Sequence, residues 1–111
     1  MIPEQILHYI SGRHVPSLDG RTFGVTDPVT NQVYAQAAAG GAEDIDRAVT
    51  AARIAFETGP WPHLAARQRA KILNRIADGI EARGTEIAEL ETFDTGLPVT
   101  QAKGQAARAY T

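Results

Sequence analysis

The spacing of apolar residues changes character near residue 41, from alternation to helical periodicity. Arg21-Thr22-Phe23-Gly24-Val25-Thr26 and Gln32-Val33-Tyr34-Ala35-Gln36-Ala37 alternate polar with apolar, as half-buried strands do. His8-Tyr9-Ile10 and His14-Val15-Pro16 flank a turn signal at Ser11-Gly12-Arg13, and Asp19-Gly20 is a second one. Asp27-Pro28 breaks the strand that precedes it, because proline donates no backbone hydrogen bond and restricts the residue before it. Thr30-Asn31 reads as a loop tip. The pattern predicts a short antiparallel β-meander over residues 8–37, closing at Gly40-Gly41 in a left-handed connection.

Beyond it the spacing predicts four helices, over residues 43–58, 63–83, 85–95 and 99–111. In the first, Ile45, Ala48, Val49, Ala52 and Phe56 share one face. Glu43, Asp44 and Asp46 lie in its opening turns, where the helix dipole favours negative charge, and Gly59-Pro60 stops it. Ala66, Ala70, Leu73, Ile76, Ala77 and Ile80 make the apolar face of the second, with Gly84 expected as its C-terminal glycine. Thr85 is the expected cap of the third, Ile87, Leu90 and Phe93 its buried stripe, and Gly96 followed by Pro98 its stop. Val99, Ala102, Ala106 and Ala109 keep helical spacing to the last residues, so the chain reads as a piece of a longer protein cut within a helix. Taken alone, this succession is a small α+β unit.

Composition sharpens that expectation. Of 111 residues 43% are hydrophobic, but only three Phe, three Tyr and one Trp are present, and alanine supplies much of the apolar count. Alanine buries little area, so a core built from this chain alone is expected to be thin. The net charge of −2, with basic and acidic residues interleaved, gives no stripe for nucleic acid. No apolar run approaches the ~20 residues that span a bilayer, and Met1 to Ile10 has no signal-peptide pattern. A soluble, cytoplasmic chain without membrane or nucleic-acid partners is expected. The absence of cysteine excludes disulfides and thiolate chemistry within these residues.

Candidate chemistry is sparse. His8, His14 and His63 are not spaced as metal-ligand pairs, and structural or surface roles suffice for them. Gly40-Gly41 lacks the flanking pattern of a phosphate-binding turn. Trp61, between Pro60 and Pro62, reads as a rigid anchor between two helices. Ser11 and Ser17 have no base in a recognisable arrangement. Asp94 is different, because it falls in the last turn of the third helix, facing the negative end of the dipole. It is either a carboxylate paired with an arginine or solvated, or a ligand for a cation.

Several runs together resemble the opening of the NAD(P)-dependent aldehyde dehydrogenase family. They are Tyr9-Ile10-Ser11-Gly12, Gly20-Arg21-Thr22-Phe23 and Asp27-Pro28-Val29-Thr30-Asn31-Gln32-Val33. Asp44-Ile45-Asp46-Arg47-Ala48-Val49, Ala51-Ala52-Arg53, Ala55-Phe56, Pro60-Trp61, Arg67-Gln68-Arg69-Ala70 and Ile72-Leu73 continue the match. Glu89-Leu90-Glu91-Thr92-Phe93-Asp94-Thr95-Gly96 is its most specific part. The resemblance implies an α/β parent with the aldehyde dehydrogenase fold, of which residues 1–111 are the N-terminal part of the cofactor-binding domain. It also implies NAD or NADP as cofactor, a small aldehyde as substrate and a homo-oligomer. The catalytic cysteine, the glutamate base, the oxyanion asparagine and the cofactor-binding loops of such enzymes fall beyond Thr111, so no catalytic or cofactor-binding residue is expected here.

One family site reaches into this chain. The resemblance implies a structural Na+ or K+ held by the backbone carbonyls of Val25 and Thr26 and the carboxylate of Asp94, donors that suit a hard cation. Asp94-Thr95-Gly96-Leu97-Pro98, with Gln101 and Lys103, is further similar to the (carboxymethyl-)hydroxymuconic semialdehyde dehydrogenases of aromatic catabolism. Two other readings stay open: a stand-alone helical protein-interaction module, and a superfamily relative without activity.

Overall fold

The computed structural model describes residues 3–110, so the parts of the expectations that touch Met1, Ile2 and Thr111 lie outside the described residues. Five strands precede four helices: β1 (Gln5–Ile6), β2 (His8–Ile10), β3 (Arg13–Val15), β4 (Thr22–Thr26), β5 (Val33–Ala38), α1 (Ala42–Thr58), α2 (Ala66–Ala82), α3 (Gly84–Thr95) and α4 (Val99–Arg108). A single 3-10 turn, Trp61–His63, lies between α1 and α2. The chain divides into two compact units, one of residues up to Thr26 with Val33–His63, the other of Asp27–Gln32 with Leu64 onward.

In the first unit, β2 and β3 form a hairpin with His8 opposite Val15, Tyr9 opposite His14 and Ile10 opposite Arg13. Ser11 (φ 53°) and Gly12 (φ 76°) make the turn, two consecutive left-handed residues whose twist matches that of paired strands. The Tyr9 and His14 rings meet across it at 5.1 Å. The meander is not wholly antiparallel as expected, however. β5 is the centre of a three-stranded sheet, antiparallel to β4 and parallel to β1, with Gln5 opposite Gln36 and Ile6 opposite Ala37. Two residues are too few for alternation to reveal, and their partners lie some thirty positions away in sequence.

The entry to α1 also departs from expectation. Gly41 is extended (φ −91°, ψ −177°), and neither it nor Gly40 is left-handed. An extended N-cap is the ordinary way into a helix, and the Asp44 carboxylate fixes it by accepting the Gly41 backbone N–H at 3.1 Å. Asp44 also accepts the Leu18 N–H at 3.1 Å, and its side chain is buried.

In the second unit, α2 begins at Ala66 rather than 63, because Pro62 sits in the 3-10 turn and Ala65 caps the helix. The Gln68 side chain accepts the Ala65 N–H at 3.0 Å, satisfying one of the first free donors. Gly84 is not a left-handed C-terminal glycine and Thr85 is not the cap. Arg83 joins α2 directly to α3, and Gly84 is already helical. A bidentate, solvent-exposed Arg83–Glu86 pair at 2.8 and 2.9 Å spans the first turn of α3. It raises the Arg83 pKa and lowers that of Glu86, in both cases chiefly through the hydrogen bond between them. α3 ends as expected, with Gly96 left-handed (φ 74°) and its N–H donated to the Thr92 carbonyl at 3.0 Å.

α3 packs on α4, where Ala88, Ala102 and Ala106 are buried. Short side chains at a helix crossing let the two axes approach closely. The expected buried stripe of Ile87, Leu90 and Phe93 is only half-buried, with Phe93 36% exposed. The buried apolar side chains among the described residues are Ala35, Ala37, Ala88, Ala102 and Ala106, with no large side chain among them. Meanwhile Ile45, Val49 and Phe56 of α1, and Leu73 and Ile76 of α2, are all more than half exposed. The thin core follows from the alanine-rich composition.

Candidate cation-binding site

The expected ligands sit at two kinds of backbone ending. Val25 and Thr26 close β4, and the ladder with β5 shifts register between them: Val25 faces Ala35 and Thr26 faces Val33, so Tyr34 is the extra residue of a bulge. The extra residue lies on β5, while Val25 and Thr26 each keep a partner in the ladder. Asp94 lies in the last turn of α3, as its spacing predicted, and is exposed. Val25 and Thr26 belong to the first unit and Asp94 to the second.

Between the strands, Asp27 organises the loop. Its carboxylate accepts the Val29 N–H at 2.8 Å and the Thr30 hydroxyl at 2.7 Å, while its backbone N–H donates to the Gln32 carbonyl at 2.9 Å. Asn31 is left-handed (φ 56°) and donates its N–H back to the Asp27 carbonyl at 2.8 Å. The hydrogen bond from Val29, followed by that from Thr30, holds the Asp27 carboxyl below its ordinary value. An aspartate bonding forward over a proline is the side-chain mimic of a backbone turn, and the Asp-Pro-x-Thr order carries that signal. Gly96 lies against this loop: a Cβ there would meet Pro28 Cγ at 3.5 Å.

The remaining candidates resolve into structural roles. His8 Nε2 lies 3.2 Å from the Ser17 hydroxyl, and Ser17 is buried. His14 packs on Tyr9, and His63 ends the 3-10 turn. Trp61 remains 42% exposed, so the anchor is only partly seated within this chain. Among the described residues no three His, Cys, Asp or Glu side chains gather as a metal site, a statement that leaves backbone carbonyl ligands aside. No described helix is long and apolar enough to cross a membrane. Asp44 was expected only to complement the dipole, and its bond to Leu18 has no local sequence signal.

Comparison with known proteins agrees with this succession of elements. The sequence profile of the aldehyde dehydrogenase family matches residues 14–111. The chain is 50% identical over 92 residues to aldehyde dehydrogenase family 2 member B4, mitochondrial, of Arabidopsis thaliana, covering 83% of this chain and 17% of that protein. It is 45% identical over 95 residues to 2-hydroxymuconic semialdehyde dehydrogenase of Pseudomonas sp. strain CF600, covering 86% and 19%. A crystal structure of NAD-dependent aldehyde dehydrogenase from Sinorhizobium meliloti superposes with a TM-score of 0.88 at 32% identity, covering 96% of this chain and 21% of that one. The chain thus spans about a fifth of the length of the proteins it matches. By sequence and by fold, the chain belongs to the aldehyde dehydrogenase family.

Proposed function

We propose that this chain is the N-terminal part of the cofactor-binding domain of an enzyme that oxidises an aldehyde to the carboxylic acid with NAD+ or NADP+. The family match over residues 14–111, together with coverage of only about a fifth of its relatives, carries the reading. The alanine core and the exposed apolar helix faces support it, since they are what a segment shows when the rest of its domain is elsewhere. With no cysteine, the segment supplies no thiol nucleophile, and its contribution is scaffolding. The nicotinamide cofactor supplies the hydride acceptor, and the residues that hold it belong to the remainder of the polypeptide. A cytoplasmic location and a homo-oligomeric state belong to the same reading.

The substrate class within this reading is an aldehyde, with semialdehydes among the first to try. The similarity to the hydroxymuconic semialdehyde enzyme supports that choice, but the plant relative is at least as similar, so the segment does not single out one substrate. The Val25 and Thr26 carbonyls and the Asp94 carboxylate are proposed to hold a structural Na+ or K+. Their oxygen chemistry supports this.

The test is to assay the complete polypeptide with NAD+ and NADP+ against a panel of aldehydes and semialdehydes. Reduced cofactor should form with at least one, and formation with none would overturn the reading. For the cation, Asp94→Asn in the complete polypeptide should abolish the Na+- or K+-dependent rise in melting temperature. A rise that persists in the variant would remove Asp94 from the site.

A further inference from the structure

Asp19-Gly20 ends the turn that leads from β3 into β4, and this pair carries a covalent liability of its own. In an Asp-Gly sequence the glycine amide nitrogen can attack the aspartate Cγ. The new N–Cγ bond forms as a carboxyl oxygen leaves as water, giving a five-membered succinimide. Water then adds at its other carbonyl, and the product is isoaspartate, of unchanged mass, with the main chain running through Cβ and Cγ. Glycine eases the attack because it has no Cβ to obstruct it. Two conditions must be met: a carboxyl group able to shed an oxygen as water, and an amide nitrogen released from its hydrogen bond.

The fold withholds both. Asp19 Oδ1 accepts the Arg21 backbone N–H at 2.9 Å, and Oδ2 accepts the Arg21 Nε–H at 2.6 Å. The backbone bond first, and the side-chain bond after it, hold the Asp19 carboxyl below its ordinary value. An ionised carboxylate is a poor electrophile, because neither oxygen can leave as water until it is protonated. The nucleophile is engaged as well: Gly20, left-handed at φ 70°, donates its N–H to the Ser17 carbonyl at 3.0 Å. The ion pair also lies against the start of α1. A Cβ on Gly41, the N-cap, would stand 3.9 Å from Arg21 Nη2 and 4.0 Å from Asp19 Oδ2. The positive end of the helix dipole there favours the carboxylate further.

We infer that Asp19-Gly20 is a latent isomerisation site that the Arg21 side chain keeps dormant by holding the Asp19 carboxylate. Its setting gives such a change structural reach. On one side Leu18 donates its N–H to the buried Asp44 at 3.1 Å. On the other the Arg21 carbonyl accepts the Ala39 N–H at 2.9 Å. Isoaspartate lengthens the main chain between these two anchors and removes the side-chain carboxylate from its place beside Arg21.

The experiment ages the complete polypeptide and its Arg21→Met variant at neutral pH over weeks. Arg21 is a solvent-exposed side chain, so its replacement leaves the fold in place. Isoaspartate at position 19 is measured by peptide mapping with electron-transfer fragmentation, which separates the two isomers despite their equal mass. A synthetic peptide of residues 17–23 gives the unguarded rate. The parent should isomerise many-fold more slowly than the peptide, and Arg21→Met several-fold faster than the parent. A parent as fast as the peptide, or a Met variant no faster than the parent, would overturn the assignment. Hydrogen exchange at the Gly20 amide supplies the second readout. Its protection should be unchanged in Arg21→Met, because the bond to Ser17 is independent of the guanidinium. Protection lost in proportion to the isoaspartate gained would trace the effect to opening of the turn and would equally remove Arg21 as the guard.

Discussion

The Asp44 carboxylate accepts the backbone N–H groups of both Leu18 and Gly41, each at 3.1 Å, while only 3% of the residue is exposed. One side chain therefore caps its own helix and pins the turn that leads into β4. Removing it strands two backbone donors. Asp44→Ala should cost about 2–3 kcal/mol, combining a lost cap with a lost charged hydrogen bond. Asp44→Asn keeps an acceptor and should cost roughly half as much. Glu43→Ala, which leaves no described partner behind, should cost only a few tenths of a kcal/mol through the dipole. Urea unfolding midpoints of the three variants rank them, and equal losses would contradict a special place for Asp44.

Acid should weaken the loop between β4 and β5. Hydrogen bonds from Val29 and Thr30 hold the Asp27 carboxyl below its ordinary value of 3.8 in the folded chain. The folded state therefore binds its proton less readily than the unfolded state. The stabilisation is complete above the ordinary value and is lost as pH falls through the lowered one. Asp19, held down chiefly by the Arg21 backbone N–H, and Glu86, held down chiefly by Arg83, act in the same sense. Melting temperature measured from pH 6 down to pH 2 should drop less steeply in Asp27→Asn than in the parent sequence. Superimposable curves would show that this turn does not contribute.

Glycines in two settings should respond oppositely to alanine. Gly96 needs its left-handed backbone (φ 74°) and lies against Pro28, so Gly96→Ala should cost about 1–2 kcal/mol. Gly79 in α2 and Gly104 in α4 have open space where a Cβ would go, and each replacement by alanine should stabilise by about 0.5–1 kcal/mol. Thermal unfolding of the three single variants checks the contrast. A gain at position 96, or losses at both 79 and 104, would run against it.

The open face of α1 should make the 111-residue chain sticky. Val49 and Phe56 are 56% and 73% exposed on one side of the helix. Sedimentation velocity should show association that deepens with concentration and retreats in a Val49→Lys, Phe56→Lys double variant. A strictly monomeric parent at high concentration would show that the face is satisfied within the chain. The same preparation should form no reduced cofactor with any aldehyde, and measurable turnover would place catalytic groups where the proposal has none.

Periodicity located the helices because amphipathic spacing is a local property. It found α1 and α3 to within a residue or two, and the Gly96-Leu97-Pro98 stop held because φ > 0 is a demand only glycine meets cheaply. What it misplaced was decided by groups distant in sequence or by competition at a junction. β1 exists because of Gln36 and Ala37, and α3 starts at Gly84 directly after Arg83, which leaves no turn in which Gly84 could end α2. Val25 and Thr26 entered through family resemblance alone, since backbone carbonyls have no side-chain signature to read, whereas Asp94 already stood out by its place at the negative end of α3.

If the chain is part of a longer polypeptide, as proposed, the bare faces of α1 and α2 have a consequence for how that polypeptide is made. At roughly 5–20 residues per second, the remaining four fifths of a protein of this family takes on the order of tens of seconds to emerge from the ribosome. Throughout that interval Ile45, Val49, Phe56, Leu73 and Ile76 wait in water with nothing of their own to lie against. Their hazard is thus one of timing: a nascent chain that outlasts its unpaired interval folds, and one that meets another such chain first aggregates.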